Sequence, residues 1–340
     1  MACVPTPVFL ANRLTAIEPG RHPRSTTAQS TKSIEHALEA ETQSLTESIL
    51  EHVYENGRRY HRQSQGKYEL PSDETEQDRL DMTHAFFLEL LDGKLNLAPL
   101  TRDPPNVLDC GTGTGIWALD FGDKNPDSTV IGVDLAPIQP IWVAPNVHFE
   151  LDDLEKEWLY PEDHFDLIHS RHIAVGIKDW QHYMYQMYKH CKCGGYVEIA
   201  EHSLESLYCD DGTMPPDSVL NKYMATLATS LEKMGVSPHH KLADYKRMLT
   251  AAGFVDIQAY VFKLPIGAWP KRPKLRRLGA IMCNIAVTGF EAYGKALMTN
   301  YGGIADKEVS DMIDDCVRVM YSAEQHVYIL HWHIVARKPE

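Results

Sequence analysis

The chain has 340 residues, an apolar fraction of 44% that suffices for a large core, and a formal net charge of −14. That acidity disfavours direct nucleic-acid binding, which needs Lys and Arg to neutralise phosphates. The one basic run, Lys271–Arg277, reads as a solvated helix start. No run of 18 apolar residues exists to span a membrane, and seven scattered cysteines argue for a reducing compartment over a disulfide framework. The amino terminus lacks the charged-then-apolar pattern of a secretion signal, so the expected location is the cytoplasm, with the nucleus as the alternative.

Residues 1–32, rich in Pro, Thr, Ser and Ala without periodicity, are expected to form a disordered tail. From Ser33 the spacing of Ile34, Leu38, Leu45, Ile49 and Val53 predicts a helix. A second helix is expected after Pro71, capped by Asp73 with Glu76, presenting Leu80, Thr83, Phe87 and Leu91 inward and ending at Gly93. These helices define an expected N-terminal unit, 33–98. Alternating strands and helices follow over 99–340, the pattern of a parallel sheet covered on both faces.

Strands are expected at 106–110, 129–134, 147–151, 165–170 and 195–200, with a helix from Asp179 ending at Gly194-Gly195. Helices over 217–234 and 238–252 precede a strand at 254–263 and a last one at 326–336. Between these two strands lies an insertion, about 265–325. Its Met282, Ile285, Leu297, Met298, Met312 and Met320 suit either core packing or a mobile wall of a substrate pocket.

The most informative stretch is Val107-Leu108-Asp109-Cys110-Gly111-Thr112-Gly113-Thr114-Gly115. A strand runs into a glycine loop and then into a helix start, the first unit of a nucleotide-type cofactor site. The dinucleotide pattern G-x-G-x-x-G fails, because the third glycine comes one residue early and Ile116 stands where glycine is required. Asp109 is placed to meet a ligand ammonium. Asp134, ending the next strand, suits ribose hydroxyls, and one of Asp152-Asp153 suits an adenine amine, with Asp153 preferred. Three acids at successive strand ends, without a phosphate-binding cation, point to S-adenosyl-L-methionine. Thr112, Leu135, Leu154 and Ser170 adjoin these positions and complete the expected set, together with Gly111 and Gly113.

The runs Val107–Trp117, Val130–Pro140, Asp163–Arg171 and Gly194–Glu198 resemble the fungal LaeA-like class I methyltransferases. The resemblance extends to Gly66–Glu74 upstream and Phe262–Gly267 downstream, covering roughly residues 55–340. It implies a Rossmann-like seven-stranded, mostly parallel α/β sheet with helices on both faces, its last two strands forming an antiparallel edge hairpin. It also places the segment Tyr60–His84, with Tyr68, Asp73 and Arg79, beside the sheet's carboxyl edge, where an N-terminal helical lid over the cofactor is expected, against the alternative of an ordinary packed helix pair. The chain departs from the family at Cys193, Cys110, His172 and His202.

The family contains methyltransferases and a proposed regulator of secondary metabolism. The expected function is therefore methyl transfer from S-adenosylmethionine to a small-molecule acceptor, a specialised metabolite. The alternatives are a regulatory protein working through protein partners of its N-terminal region, and a related fold catalysing another reaction such as cyclisation.

Ligands of open α/β sheets lie beyond the carboxyl ends of the strands, so the reacting atoms are expected near Ser170-Arg171-His172 and Glu201-His202. His172 is the candidate base or acceptor-orienting group, against the alternative of a packed strand-end histidine. Glu201 suits either a substrate amine or a loop cap, and His169 reads as structural. Cys191-Lys192-Cys193 lacks zinc-site spacing, and His331-Trp332-His333 shows no third ligand, so no metal is expected.

Overall fold

The computed structural model describes residues 51–100 and 103–340. The expected tail and the positions Ile34 to Ile49 of the first expected helix lie outside the described residues. Val53 is in a strand, not a helix. His52–Glu55 (β1) pairs antiparallel with Arg58–His61 (β2). Asn56 and Gly57 between them take φ of 53° and 78°, the two left-handed residues of a tight hairpin turn. At Val53 that Asn-Gly signal overrides the helical spacing.

Asp73 caps the helix Glu74–Leu90 (α1), its Oδ1 accepting from the Glu76 N–H at 3.0 Å. The same carboxylate accepts from Arg58 Nε and Nη2 at 2.6 and 2.8 Å, so hairpin and helix share one anchor.

One sheet contains Asn106–Cys110 (β3), Thr129–Asp134 (β4), Val147–Leu151 (β5), Phe165–Arg171 (β6), Cys191–His202 (β7), Val255–Ile266 (β8) and Val327–Arg337 (β9). The order is β5-β4-β3-β6-β7-β9-β8, with β3 to β7 parallel and β9 antiparallel to both neighbours. The strand order reverses between β3 and β6, which opens a crevice at their carboxyl ends. Successive residues alternate faces along a strand, and Val107 and Leu167 join one apolar cluster while Leu108 and Ile168 join another. Both faces are therefore covered. The helices are Ile116–Lys124 (α2), Trp180–His190 (α3), Val219–Met234 (α4) and Leu242–Ala252 (α5), then Pro273–Asn300 (α6) and Asp306–Ser322 (α7) in the insertion.

The glycine pair does not end α3. That helix stops at His190, and β7 begins at once. Gly194, at φ 74°, and Gly195 serve an irregularity in which the β6–β7 register jumps from Phe165↔Cys191 to Leu167↔Tyr196. The six insertion residues singled out above are all buried. The six cysteines among the described residues are unpaired. No helix among the described residues is long and apolar enough to cross a membrane.

Asp73→Ala removes a helix cap and a partner of the nearly buried Arg58, so it should lower stability by about 2 kcal/mol. Asp73→Asn, which keeps an acceptor for the cap, should lose less. Urea denaturation with an unchanged m-value checks both.

Candidate active site

The loop after β3 requires its glycines twice over. Gly111, Gly113 and Gly115 take φ of 71°, 58° and 81°. A Cβ on Gly111 would lie 2.3 Å from Ile173 Cγ2, and one on Gly115 would lie 2.3 Å from the Phe149 ring. The Gly113 N–H donates to Asp134 Oδ2 at 2.8 Å, and the Ala136 N–H donates to Oδ1 at 2.9 Å. Burial pushes the Asp134 carboxyl up to about 6, against the opposing effect of these donors.

Asp134 borders a cavity with Gly111, Gly113, Leu135, Asp152, Asp153 and Leu154, at the carboxyl ends of β3, β4 and β5. Tyr68, Arg79 and Leu80 close it from the N-terminal side. Two contacts tie that segment down: Lys67 Nζ lies 2.6 Å from Asp153 Oδ2, and Thr114 Oγ1 donates to Asp81 Oδ1 at 2.6 Å. The lining fits an adenosyl group. Asp134 offers a buried acceptor for ribose hydroxyls, the glycines expose backbone, and Leu135, Leu154 and Ile177 supply apolar contact. Four acids, Asp134, Asp152, Asp153 and Glu155, line this cavity against two cations, Arg171 and an Arg79 already held by Glu76 at 2.6 and 2.8 Å, so a pyrophosphate would meet a net negative lining.

A second cavity adjoins the first. Its walls are apolar and come from β8, β9, α4 and the insertion, including Leu227, Leu264, Met282, Ile285, Phe290 and Ile329. Arg79, His172 and Tyr293 border both cavities. The methionine stripe of the insertion is thus partly core and partly pocket wall. His172 follows β6 in a left-handed conformation, φ 57°, and its N–H donates to the Ala200 carbonyl at 3.0 Å. Burial, then His202 and Arg171, hold its imidazole well below the usual histidine range, so it is neutral. His202 borders the apolar cavity.

Four expected site residues do not face either cavity. Asp109 is buried, with Oδ1 2.7 Å from His169 Nδ1 and Oδ2 accepting from Thr112 Oγ1 at 2.6 Å, so neither it nor the Thr112 hydroxyl is aimed at a ligand. His169 stacks on Trp117 with ring centroids 3.9 Å apart, a structural role as expected. Ser170 is fully buried inside the sheet. Glu201 is a loop cap: its Oε1 accepts from the Ile173 and Ala174 N–H groups at 2.7 and 3.1 Å, and burial pushes its carboxyl up to about 8.

Sequence reasoning missed Tyr293, Lys67 and the third histidine near His172 and His202. Tyr293 and His331 come from distant segments, and only the fold brings them to the site. Lys67 lay within the expected lid, but nothing in the sequence pairs it with Asp153.

A family model described as a methyltransferase domain matches residues 82–259. The chain is 40% identical over 299 residues to methyltransferase pytC of Aspergillus terreus, covering 87% of this chain and 91% of that protein. It is 37% identical to the secondary metabolism regulator LAE1 of Cochliobolus heterostrophus, over 84% of this chain and 94% of that protein. It is 34% identical to the protein-methionine methyltransferase laeA of Emericella nidulans, over 84% and 76% respectively.

Gly113→Val should abolish S-adenosylmethionine binding in calorimetry, because the left-handed backbone and the cavity both reject a branched side chain. With a ribose hydroxyl held at Asp134, the carboxylate would accept a stronger hydrogen bond than the neutral acid. Since the free protein takes up that proton near pH 6, affinity should hold above this value and fall as the pH drops through it, by up to about tenfold per unit. Asp134→Asn should bind weakly at every pH and lose this slope.

Proposed function

The chain belongs to the LaeA-like methyltransferase family, its cofactor is S-adenosyl-L-methionine, and we propose that its acceptor is a small molecule with a largely apolar body, a specialised metabolite. The observation that supports this reading is the apolar cavity that meets the polar one at Arg79, His172 and Tyr293. Bound in the polar cavity, the cofactor supplies an electrophilic methyl group on a sulfonium centre. Gly111, Gly113, Asp134, Leu135, Asp152, Asp153 and Leu154 hold it, and Tyr68 and Arg79 cover it. Covering the site excludes water and fixes the ligand's orientation.

The remaining work is positioning. Aliphatic and aromatic side chains of α4 and the insertion enclose the acceptor's body, so its polar group is left to the junction. There the neutral His172 imidazole accepts a hydrogen bond from the acceptor's O–H or N–H and aims that atom across the junction. An imidazole held so far below its usual range is a weak base. His172 is therefore assigned to orienting the acceptor, with little free-energy gain from complete proton removal.

His172→Ala should lower turnover of cofactor to S-adenosylhomocysteine by about 100-fold, the scale of a misplaced acceptor, while cofactor affinity barely changes. Ala286→Trp, which fills the apolar cavity, should raise the acceptor KM and likewise spare cofactor binding. The deciding experiment incubates the protein with methyl-labelled cofactor and an extract of its source organism. Label in an apolar small molecule supports the reading, and label confined to protein contradicts it.

A further inference from the structure

The antiparallel pairing of β7 with β9 sets His202 directly opposite His331, so both imidazoles project from the same face of the sheet. His172, which follows the neighbouring β6, turns its ring onto the same spot. Its centroid is 4.8 Å from that of His202 and 5.4 Å from that of His331. One ring nitrogen from each of the three lies within 4.8 Å of the other two. Phe87 packs against His172 and His331 from α1, with centroids 5.3 and 4.7 Å away.

These rings have no other occupation. His172 Nε2, His202 Nδ1 and both nitrogens of His331 are buried without a hydrogen-bond partner among the described residues, and His331 is fully buried. Buried polar atoms normally have partners, so three rings with orphaned nitrogens, brought together from the ends of β6 and β7 and from within β9, call for a shared ligand. An additional hydrogen-bonding side chain would satisfy one or two of them. A cation at the centre engages all three residues at once.

We propose that His172, His202 and His331 form a binding site for a first-row divalent transition-metal ion of the zinc type. Three imidazoles without a thiolate or carboxylate suit Zn²⁺ and its neighbours and do not suit Mg²⁺ or Ca²⁺, which require oxygen donors. Metal–nitrogen bonds of about 2.0–2.1 Å require the nitrogens to draw together by roughly 1.5 Å from their widest separation. His172 and His202 border the apolar cavity and have the space to do so.

Three protein ligands leave a fourth position open, as in catalytic zinc sites. The position faces the apolar cavity beside the cofactor site. Resting on the acceptor reading above, this gives the ion an acceptor oxygen as its fourth ligand and narrows the acceptor class to molecules with an ionisable hydroxyl, such as a phenol or enol. His172 then orients the acceptor through the ion.

The test uses full-length protein without a histidine tag, stripped with chelator and titrated with Co²⁺. One equivalent should bind with the visible absorption of a nitrogen-ligated, four- or five-coordinate ion. Zn²⁺ should displace it and excess Mg²⁺ should not. His202→Ala should weaken Co²⁺ binding at least about 100-fold with an unchanged melting curve and cofactor affinity, a loss on the scale of a missing direct ligand. His331→Ala provides the second variant, read only if its circular dichroism matches the parent. No stoichiometric binding, or binding unaffected by His202→Ala, would overturn the site. Metal-free protein that methylates a small molecule at full rate would end the ion's role and leave the acceptor reading intact. An ion bound at the triad in a protein that methylates no small molecule would end the acceptor reading and leave the site.

Discussion

One buried carboxyl group holds the partition between the two cavities. Glu201 reaches from the end of β7 to the N–H groups of Ile173 and Ala174, and so fixes the short segment that separates the cofactor side from the acceptor side. That segment presents Ile173 to the glycine loop, close enough that Gly111 tolerates no Cβ, and it presents His172 to both cavities. A buried N–H left without an acceptor costs about 1–3 kcal/mol, so the two bonds to Glu201 hold the partition strongly. Glu201 was a candidate for direct chemistry from the sequence. Its contribution is instead to place His172 where the two cavities meet.

The electrostatics divide along the same partition. The cofactor side carries Asp134, Asp152, Asp153 and Glu155 against Arg79 and Arg171, a net negative lining that favours a cationic ligand over a phosphate. The second cavity is mostly apolar, and its polar boundary includes His172, His202, Thr83, Ser203, Tyr293 and Arg79, which Glu76 holds from outside the cavity. Arg79 sits on α1, whose start is fixed by Asp73, while the preceding loop is tied to the sheet by Lys67 and Asp153. The N-terminal segment thus contributes walls to both cavities. Its attachment combines these ion pairs with Leu70, Phe86 and Phe87, which are buried in the main core beside the sheet.

The cofactor half was legible in sequence because it is local. The spacing of Gly111, Gly113 and Gly115, and an acid at the end of each of the next two strands, are short-range signals that need no tertiary information. Asp109 misled for the same reason: sequence places it at the strand end but not which way its side chain turns, and the fold turns it onto His169. Val53 continued a helical spacing that the Asn56-Gly57 turn overrides, and the Gly194-Gly195 pair looked like a helix stop where it serves a strand irregularity. The acceptor half was not legible. Tyr293 and His331 reach it through an insertion and an antiparallel pairing whose register no local pattern encodes. His331 and His333 were visible as a pair on one strand face, but the third partner depends on the left-handed turn at His172.

The account depends on cofactor and acceptor occupying adjoining cavities that meet at His172. A crystal structure with S-adenosylhomocysteine tests this most directly. The account predicts adenosine beside Asp134 and Asp153, with the homocysteine sulfur facing the junction within about 8 Å of the His172 ring, the reach of one bridging acceptor atom or water. A ligand lodged in the apolar cavity, or a sulfur directed away from His172 and beyond that distance, would contradict it.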